Sequence, residues 1–227
     1  KLAKQNKLKV IGYGSSNGIN LDYFNPENFT TEGIEALKKQ IGIESENYVY
    51  IFVGRIVKDK GINELIESFT QVNLENPKTK LLLVGPFEAD LDPIKPENFK
   101  EIKNNKSIIE VGYVNDVRPY FLISDTLVFP SYREGFPNVV MQAGAMGLPS
   151  IVSNINGCNE IIEDNKNGLI IPVKDTVSLT ASMKKLLLNQ DLYLKLKENS
   201  RVSIQERYEQ NFIWQEILKQ YKQLEDV

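Results

Sequence analysis

The sequence predicts an α/β domain in which a parallel sheet carries helices on both faces. Apolar runs of strand length recur along the chain, each closed by Gly, Pro or Asn, and most are followed by a helical pattern. The ends of five such runs, at Gly54, Gly85, Gly112, Ser131 and Asn154, fall where ligands bind in open parallel sheets, outside the carboxyl ends of the strands. At 227 residues with 41% hydrophobic content, the chain is long enough to bury a real core as one large or two small domains.

The elements follow in order. KLKVIGYG predicts a strand near residues 8–13 and leads into the turn-rich SSNGINLDYFNP. A helix is expected near 31–41, and the β-rich run VYIFVG predicts a strand near 48–54. Ile62, Leu65, Ile66 and Phe69 share one face, so a helix follows over 61–75, then KLLLVGP as a strand near 80–85. With Pro93, Pro96 and several charges, 87–105 reads as a loop containing a short helix. Further strands are expected near 108–112, 126–130, 149–153 and 169–171, and helices near 115–123, 137–146, 157–163, 175–189, 191–203 and 206–225. There is no internal repeat and no low-complexity tract.

Composition excludes several functions. A balance of 27 basic against 30 acidic residues lacks the basic surplus of a nucleic-acid binder. No apolar run approaches the length that spans a bilayer. The single cysteine, Cys158, rules out an internal disulfide and suits a reducing cytoplasm, so the glycosylation-type matches at Asn28 and Asn105 carry little weight. With no histidine in the chain, His-based acid/base chemistry and His metal ligands are excluded from it.

The richest segment is SYREGFPNVVMQAGAMGLPSIVSNINGCNEII, residues 131–162. Pro137 is expected at the first helical position, where its missing N–H costs nothing, leaving the amides of Asn138, Val139 and Val140 free to meet an anion. Upstream, VYIFVGRIVKDKGINELIESF sets Arg55 and Lys60 around a short loop between a strand and a helix. Arginine offers phosphate a planar fork and lysine a mobile point charge. The alternative for both is a solvated cationic face. Glu134 reads either as a carboxylate at a helix start or as a ligand for sugar hydroxyls.

These segments resemble retaining glycosyltransferases of the GT-B fold, family four, whose signature opens with a Glu and repeats it after seven intervening residues. Here the first is Glu134 and the second position is Gln142, an amide that can hydrogen-bond a ribose but carries no charge. The resemblance covers most of the chain, taking in the Gly-Arg turn, the Lys-Gly helix start, IIEVGYVNDVRPYFLISDTLVFPS and NGLIIPVKD. It implies one Rossmann-like half of a GT-B enzyme, with residues 1–30 as an opening strand and linker, 31–205 as the nucleotide-sugar domain and 206–227 as a C-terminal helix. That helix either crosses to the absent acceptor-binding half or packs on its own domain.

By the same resemblance, Gly54, Arg55, Lys60, Phe136, Asn138 and Val139 hold the donor diphosphate and Glu134 is the catalytic carboxylate. Gln142 meets the ribose, and Gly112, Tyr113 and Val114 meet the base. Asn156 and Gly157 form a donor loop in which Asn156 and Asn159 stand where the family has Gly and Pro; Glu160 there is expected to be structural and Cys158 a packed thiol. The implied donor is a UDP-sugar or GDP-sugar, with no metal. The implied acceptor is a glycan or lipid-linked sugar reached through the missing N-terminal half, at the cytoplasmic membrane face, with peripheral membrane association of the full-length protein. A resemblance to capsule and O-antigen transferases sets this biological expectation. A sugar-nucleotide epimerase and a non-catalytic binding module are the rival readings. Two decoys are set aside: the glycines at 12, 14 and 18 are too loosely spaced for a dinucleotide loop, and Asp90-Leu91-Asp92 lies in a Pro-bounded loop where acidic residues serve turns.

Overall fold

The structure is a computed structural model describing residues 10, 13–14, 17–88 and 92–225. Most of the strand expected over 8–13 therefore lies outside the described residues. The core is a six-stranded parallel sheet in the order β3-β2-β1-β4-β5-β6. Its strands are β1 (Tyr48–Val53), β2 (Thr79–Val84), β3 (Ile108–Gly112), β4 (Thr126–Phe129), β5 (Ser150–Ser153) and β6 (Gly168–Ile171). Nine helices accompany it among the described residues: α1 (Thr31–Ile41), α2 (Ile62–Glu75), α3 (Pro96–Asn104), α4 (Arg118–Leu122), α5 (Asn138–Ala145), α6 (Cys158–Ile161), α7 (Thr176–Leu188), α8 (Gln190–Tyr208) and α9 (Gln210–Glu225).

Two groups of helices enclose the sheet. On one side α2 packs on α3 and α7; on the other α5 packs on β4, β5, α6 and α8. Right-handed crossovers require this arrangement, because the chain winds outward from β1 to β3 and then returns to wind the other way from β4. Covered on both faces, the central strands are largely apolar: Val49, Tyr50, Ile51 and Phe52 of β1 are all buried, as are all four residues of β4, of which only Thr126 is polar.

Several ends differ from the sequence expectation. The helix expected over 115–123 is a single five-residue turn-and-a-half, begun where Asp116 accepts from the Arg118 amide and guanidinium. The one expected over 157–163 is only four residues long. The penultimate helix runs on to Tyr208 and breaks at Glu209, where Ile19 crosses: the Ile19 amide donates to the Tyr208 carbonyl at 2.7 Å and the Gln210 amide to Ile19 at 3.0 Å. Propensity over 203–211 contains no breaker, so this long-range contact is what divides α8 from α9.

At the amino ends of the strands Asp125 is partly buried. It accepts from the Val49 amide at 2.7 Å and from the Tyr193 hydroxyl at 3.3 Å, tying β1 to α8. Burial raises its carboxyl above the usual range, against the pull of the Val49 amide. A raised folded-state pKa gives stability that is present below the unfolded pKa and lost as pH rises through the folded value. Asp125→Asn is therefore expected to gain stability relative to the native chain as pH rises from about 4 to 7, measured by urea denaturation across that range; an unchanged difference would contradict it.

Candidate functional site

The strand order reverses between β1 and β4, and two turns meet above that gap. After β1 the chain makes a 3-10 turn at Lys58–Lys60, closed by Gly61 at φ 72°. A side chain at Gly61 would fall on the Pro130 carbonyl, so glycine lets this turn lie directly against the end of β4. Asp92 fixes the turn further, its carboxylate accepting from the Asp59 amide at 2.6 Å and its carbonyl from the Lys58 amide at 3.0 Å. The second turn, 131–137, is joined to the first by the Tyr132 amide donating to the Asp59 carbonyl at 2.9 Å.

Together the turns bring Lys60 and Glu134 into an ion pair of 2.5 Å, with each side chain only 16% exposed. Glu134 Oε1 also accepts from the buried Ser131 hydroxyl at 2.8 Å. Behind them lies Cys158, fully buried; burial first and the Glu134 charge second push its thiol up to about 12, although Lys60 pulls the other way. It is a packed thiol, as its sequence context implied.

Arg55 reaches the same edge, half-exposed, and pairs with Glu88 at 2.8 Å, which raises its guanidinium further above an already high value. Beside it opens a cleft of about 390 Å³ lined by Gly54, Arg55, Gly85, Tyr113, Val114 and Val117 among others, with largely apolar walls. Tyr113 stands 76% exposed at this cleft. Gly112 lies just below, its carbonyl accepting from the Gly85 amide at 2.8 Å.

The helix start at α5 corrects one expectation. Pro137 precedes the helix instead of opening it, with ψ at 106°, and the Val140 amide donates to the Pro137 carbonyl at 3.1 Å. Val140 is thus already satisfied, and the amides a ligand can use there are those of Asn138 and Val139. Phe136 packs edge-on against Tyr208 with ring centroids 5.5 Å apart, fixing the turn from below. Gln142 sits half-buried one turn into α5.

The loop after β5 abuts this turn. At Gly157, φ is 77° and a side chain would strike the Gly135 carbonyl and Phe136 backbone, so the close approach there joins the two loops. Asn156 is exposed, and Asn159 donates to Asn154 at 2.9 Å. Glu160 accepts from the Gly157 amide at 3.1 Å, the structural role expected of it. Glu88 had no site role in the sequence reading, Asp92 was weighed there only as part of a metal-type decoy, and Ser131 only as a strand end at the crevice. Only the packing of the turns reveals them, since no motif spacing joins residue 92 to 59 or 88 to 55. Asp90 and Leu91 lie outside the described residues, and among the described residues no group of three acidic or cysteine side chains is placed to hold a metal ion.

Residues 33–203 match the family described as Glycosyl transferases group 1. The chain belongs to this family. It is 32% identical over 220 residues to the capsular polysaccharide biosynthesis glycosyltransferase CapM of Staphylococcus aureus, covering 97% of this chain and 56% of that protein. It is also 32% identical over 223 residues to the N,N'-diacetylbacillosaminyl-diphospho-undecaprenol alpha-1,3-N-acetylgalactosaminyltransferase of Campylobacter jejuni, covering 96% and 55%. This group 1 chain therefore spans about half the length of these curated relatives. Its fold matches Anabaena HepE in complex with UDP at a TM-score of 0.81 and 20% identity, over 91% of this chain and 56% of that one. It also matches the C-terminal domain of LpcC from Francisella tularensis at 0.73 and 24%, over 85% and 99%. These solved structures share the Rossmann-like fold of the group 1 chain.

The two turns make a prediction of their own. Lys60→Ala, Glu134→Ala and the double variant should show coupling of about 1–3 kcal/mol in urea denaturation, because removing one partner leaves the other's charge stranded in a largely dry site. Additive effects would mean that the pair contributes nothing to the junction.

Proposed function

We propose that this chain is the donor-binding half of a retaining GT-B glycosyltransferase that transfers a sugar from a UDP- or GDP-sugar to a lipid-linked acceptor in bacterial surface-polysaccharide synthesis. The observation that carries the reading is the Lys60–Glu134 pair at the strand-order reversal, with Arg55 between it and an apolar cleft over the carboxyl ends of β1, β2 and β3. A flat base fits the slot by Tyr113 and Val114, with Gly112 shaping its floor. Gln142 takes the ribose. Arg55, Lys60 and the amides of Asn138 and Val139 take the diphosphate, with Gly54 and Phe136 shaping the backbone around it. The sugar then lies at Glu134, with the loop at Asn156 and Gly157 closing over it.

In the reaction the bond from the anomeric carbon to the diphosphate oxygen breaks and an acceptor hydroxyl takes its place, its proton passing to the released diphosphate. Negative charge grows on the leaving group, and Arg55, Lys60 and the helix amides stabilise it without a metal ion. Glu134 orients the sugar hydroxyls and offsets positive charge on the ring. The acceptor belongs to an N-terminal half of the full-length protein, with residues 1–30 as the linker, the domain from 31 through α8 as the donor domain and α9 as the helix that reaches the other half. The names of the capsular and undecaprenol-linked relatives, and the UDP bound to HepE, support this reading. The undecaprenol-linked relative's name fits a lipid-linked acceptor, and in this reading the full-length protein works at the cytoplasmic face of the membrane; no helix among the described residues is long and apolar enough to cross one.

Titration of the chain with UDP, GDP, ADP and CMP tests it, since a ligand bound only by the folded state raises the melting temperature. One diphosphate should stabilise the chain, and Arg55→Ala should weaken that effect about tenfold or more. No response from the full-length protein to any of the four would overturn the donor-site reading. In the full-length protein Glu134→Ala is expected to abolish transfer while leaving nucleotide affinity within about threefold, because uniform binding and transition-state binding are separable; retained transfer would refute the catalytic role of Glu134.

A further inference from the structure

We infer that Ser131 is the positioning residue that keeps Glu134 in place when Lys60 turns to the donor diphosphate. The inference rests on the donor-site reading and goes beyond it by naming what holds the carboxylate during the reaction. In the ligand-free arrangement Glu134 Oε1 has two donors, Lys60 at 2.5 Å and Ser131 at 2.8 Å. Lysine cannot be the permanent one. Its ammonium rides on a flexible four-carbon stem, and an incoming diphosphate brings more negative charge to the same turn than Glu134 does.

Ser131 is different in kind. It is 0% exposed and lies two residues beyond the end of β4. Its neighbour Tyr132 is tied to the Asp59 carbonyl at 2.9 Å, so backbone and hydroxyl have little freedom. The Oγ atom lies near three acceptors, Glu134 Oε1 at 2.8 Å, the Arg133 carbonyl at 3.2 Å and the Asp59 carbonyl at 3.4 Å. A hydroxyl has one proton to donate, and Glu134 is the shortest and the only charged acceptor of the three. Ser131 therefore holds Oε1, which leaves Oε2 for the sugar hydroxyls.

The consequence separates binding from chemistry. With Ser131 intact, Lys60 moves to the phosphate and Glu134 stays. Without the hydroxyl, Glu134 loses its last local donor only once the donor substrate is bound, so nucleotide affinity survives and turnover falls. Misplacing a group at the reacting centre by about 1 Å is enough to cost orders of magnitude in rate.

The test uses the full-length protein, with release of nucleoside diphosphate from UDP-glucose, UDP-galactose, UDP-N-acetylglucosamine and GDP-mannose as one readout and affinity for UDP and GDP as the other. Ser131→Ala should slow release about tenfold or more with nucleotide affinity unchanged within about twofold. Added to Glu134→Gln it should cause no further loss, since it acts through that carboxylate. Ser131→Thr and Ser131→Val have the same shape and differ in the hydroxyl, so Thr should outpace Val by about the same factor even where both perturb packing. Equal rates for Thr and Val, or a full additional loss in the Glu134→Gln background, would overturn the role of Ser131. Absence of UDP or GDP binding by the unmodified protein would instead remove the donor-site reading, and this proposal with it.

Discussion

The ion pair between Lys60 and Glu134 is the contact on which the rest of the site depends. It joins the turn after β1 to the turn after β4, the two strands between which the sheet reverses its winding. Parallel α/β sheets open a crevice at such a reversal because the connections on either side lead away in opposite directions. In this chain the two turns are joined by that pair and by the Tyr132 amide on the Asp59 carbonyl, and the apolar cleft opens to one side of them, beyond Arg55.

The contact is possible because each turn is supported from outside itself. The Lys58–Lys60 turn rests on the Pro130 carbonyl through Gly61 and on Asp92 through two hydrogen bonds. The Glu134 turn rests on Phe136 against Tyr208, and on Gly157 against Gly135. Tyr208 lies at the end of α8, and its hydroxyl donates to the Glu160 carbonyl at 2.8 Å. Through Tyr208, α8 thus braces the site from behind. A half-buried pair of opposite charges gains little over its desolvation cost, so its value is in where it sets the two groups, more than in stability.

Much of the fold was legible because its signals are local. An apolar run such as YIFV or LLLV ending in glycine marks both a buried strand and its crevice end, and all five strand ends at Gly54, Gly85, Gly112, Ser131 and Asn154 lie at the carboxyl edge. Arg55, Lys60 and Glu134 were visible as candidates because each stands in a strand-to-helix turn. What could not be read is whatever depends on contacts between distant segments. Two C-terminal helices were expected with a break at 204–205; its actual place at Glu209 is set by Ile19, nearly the whole chain away. Glu88 beside Arg55, Asp92 beneath Asp59 and the Ser131 hydroxyl on Glu134 follow from how the turns pack. Pro137 was misplaced by one residue because both positions suit a residue without an N–H, and only the Val140 bond to its carbonyl distinguishes them.

A crystal structure of the chain grown with UDP or GDP tests the account most directly. The diphosphate is expected between Arg55, Lys60 and the first amides of α5, with the base in the cleft beside Val114 and with Lys60 drawn off Glu134 while Ser131 remains on it. Nucleotide density elsewhere, for instance in the polar cavity between Asn20 and Trp214, or a Glu134 that follows Lys60 away from Ser131, would contradict it.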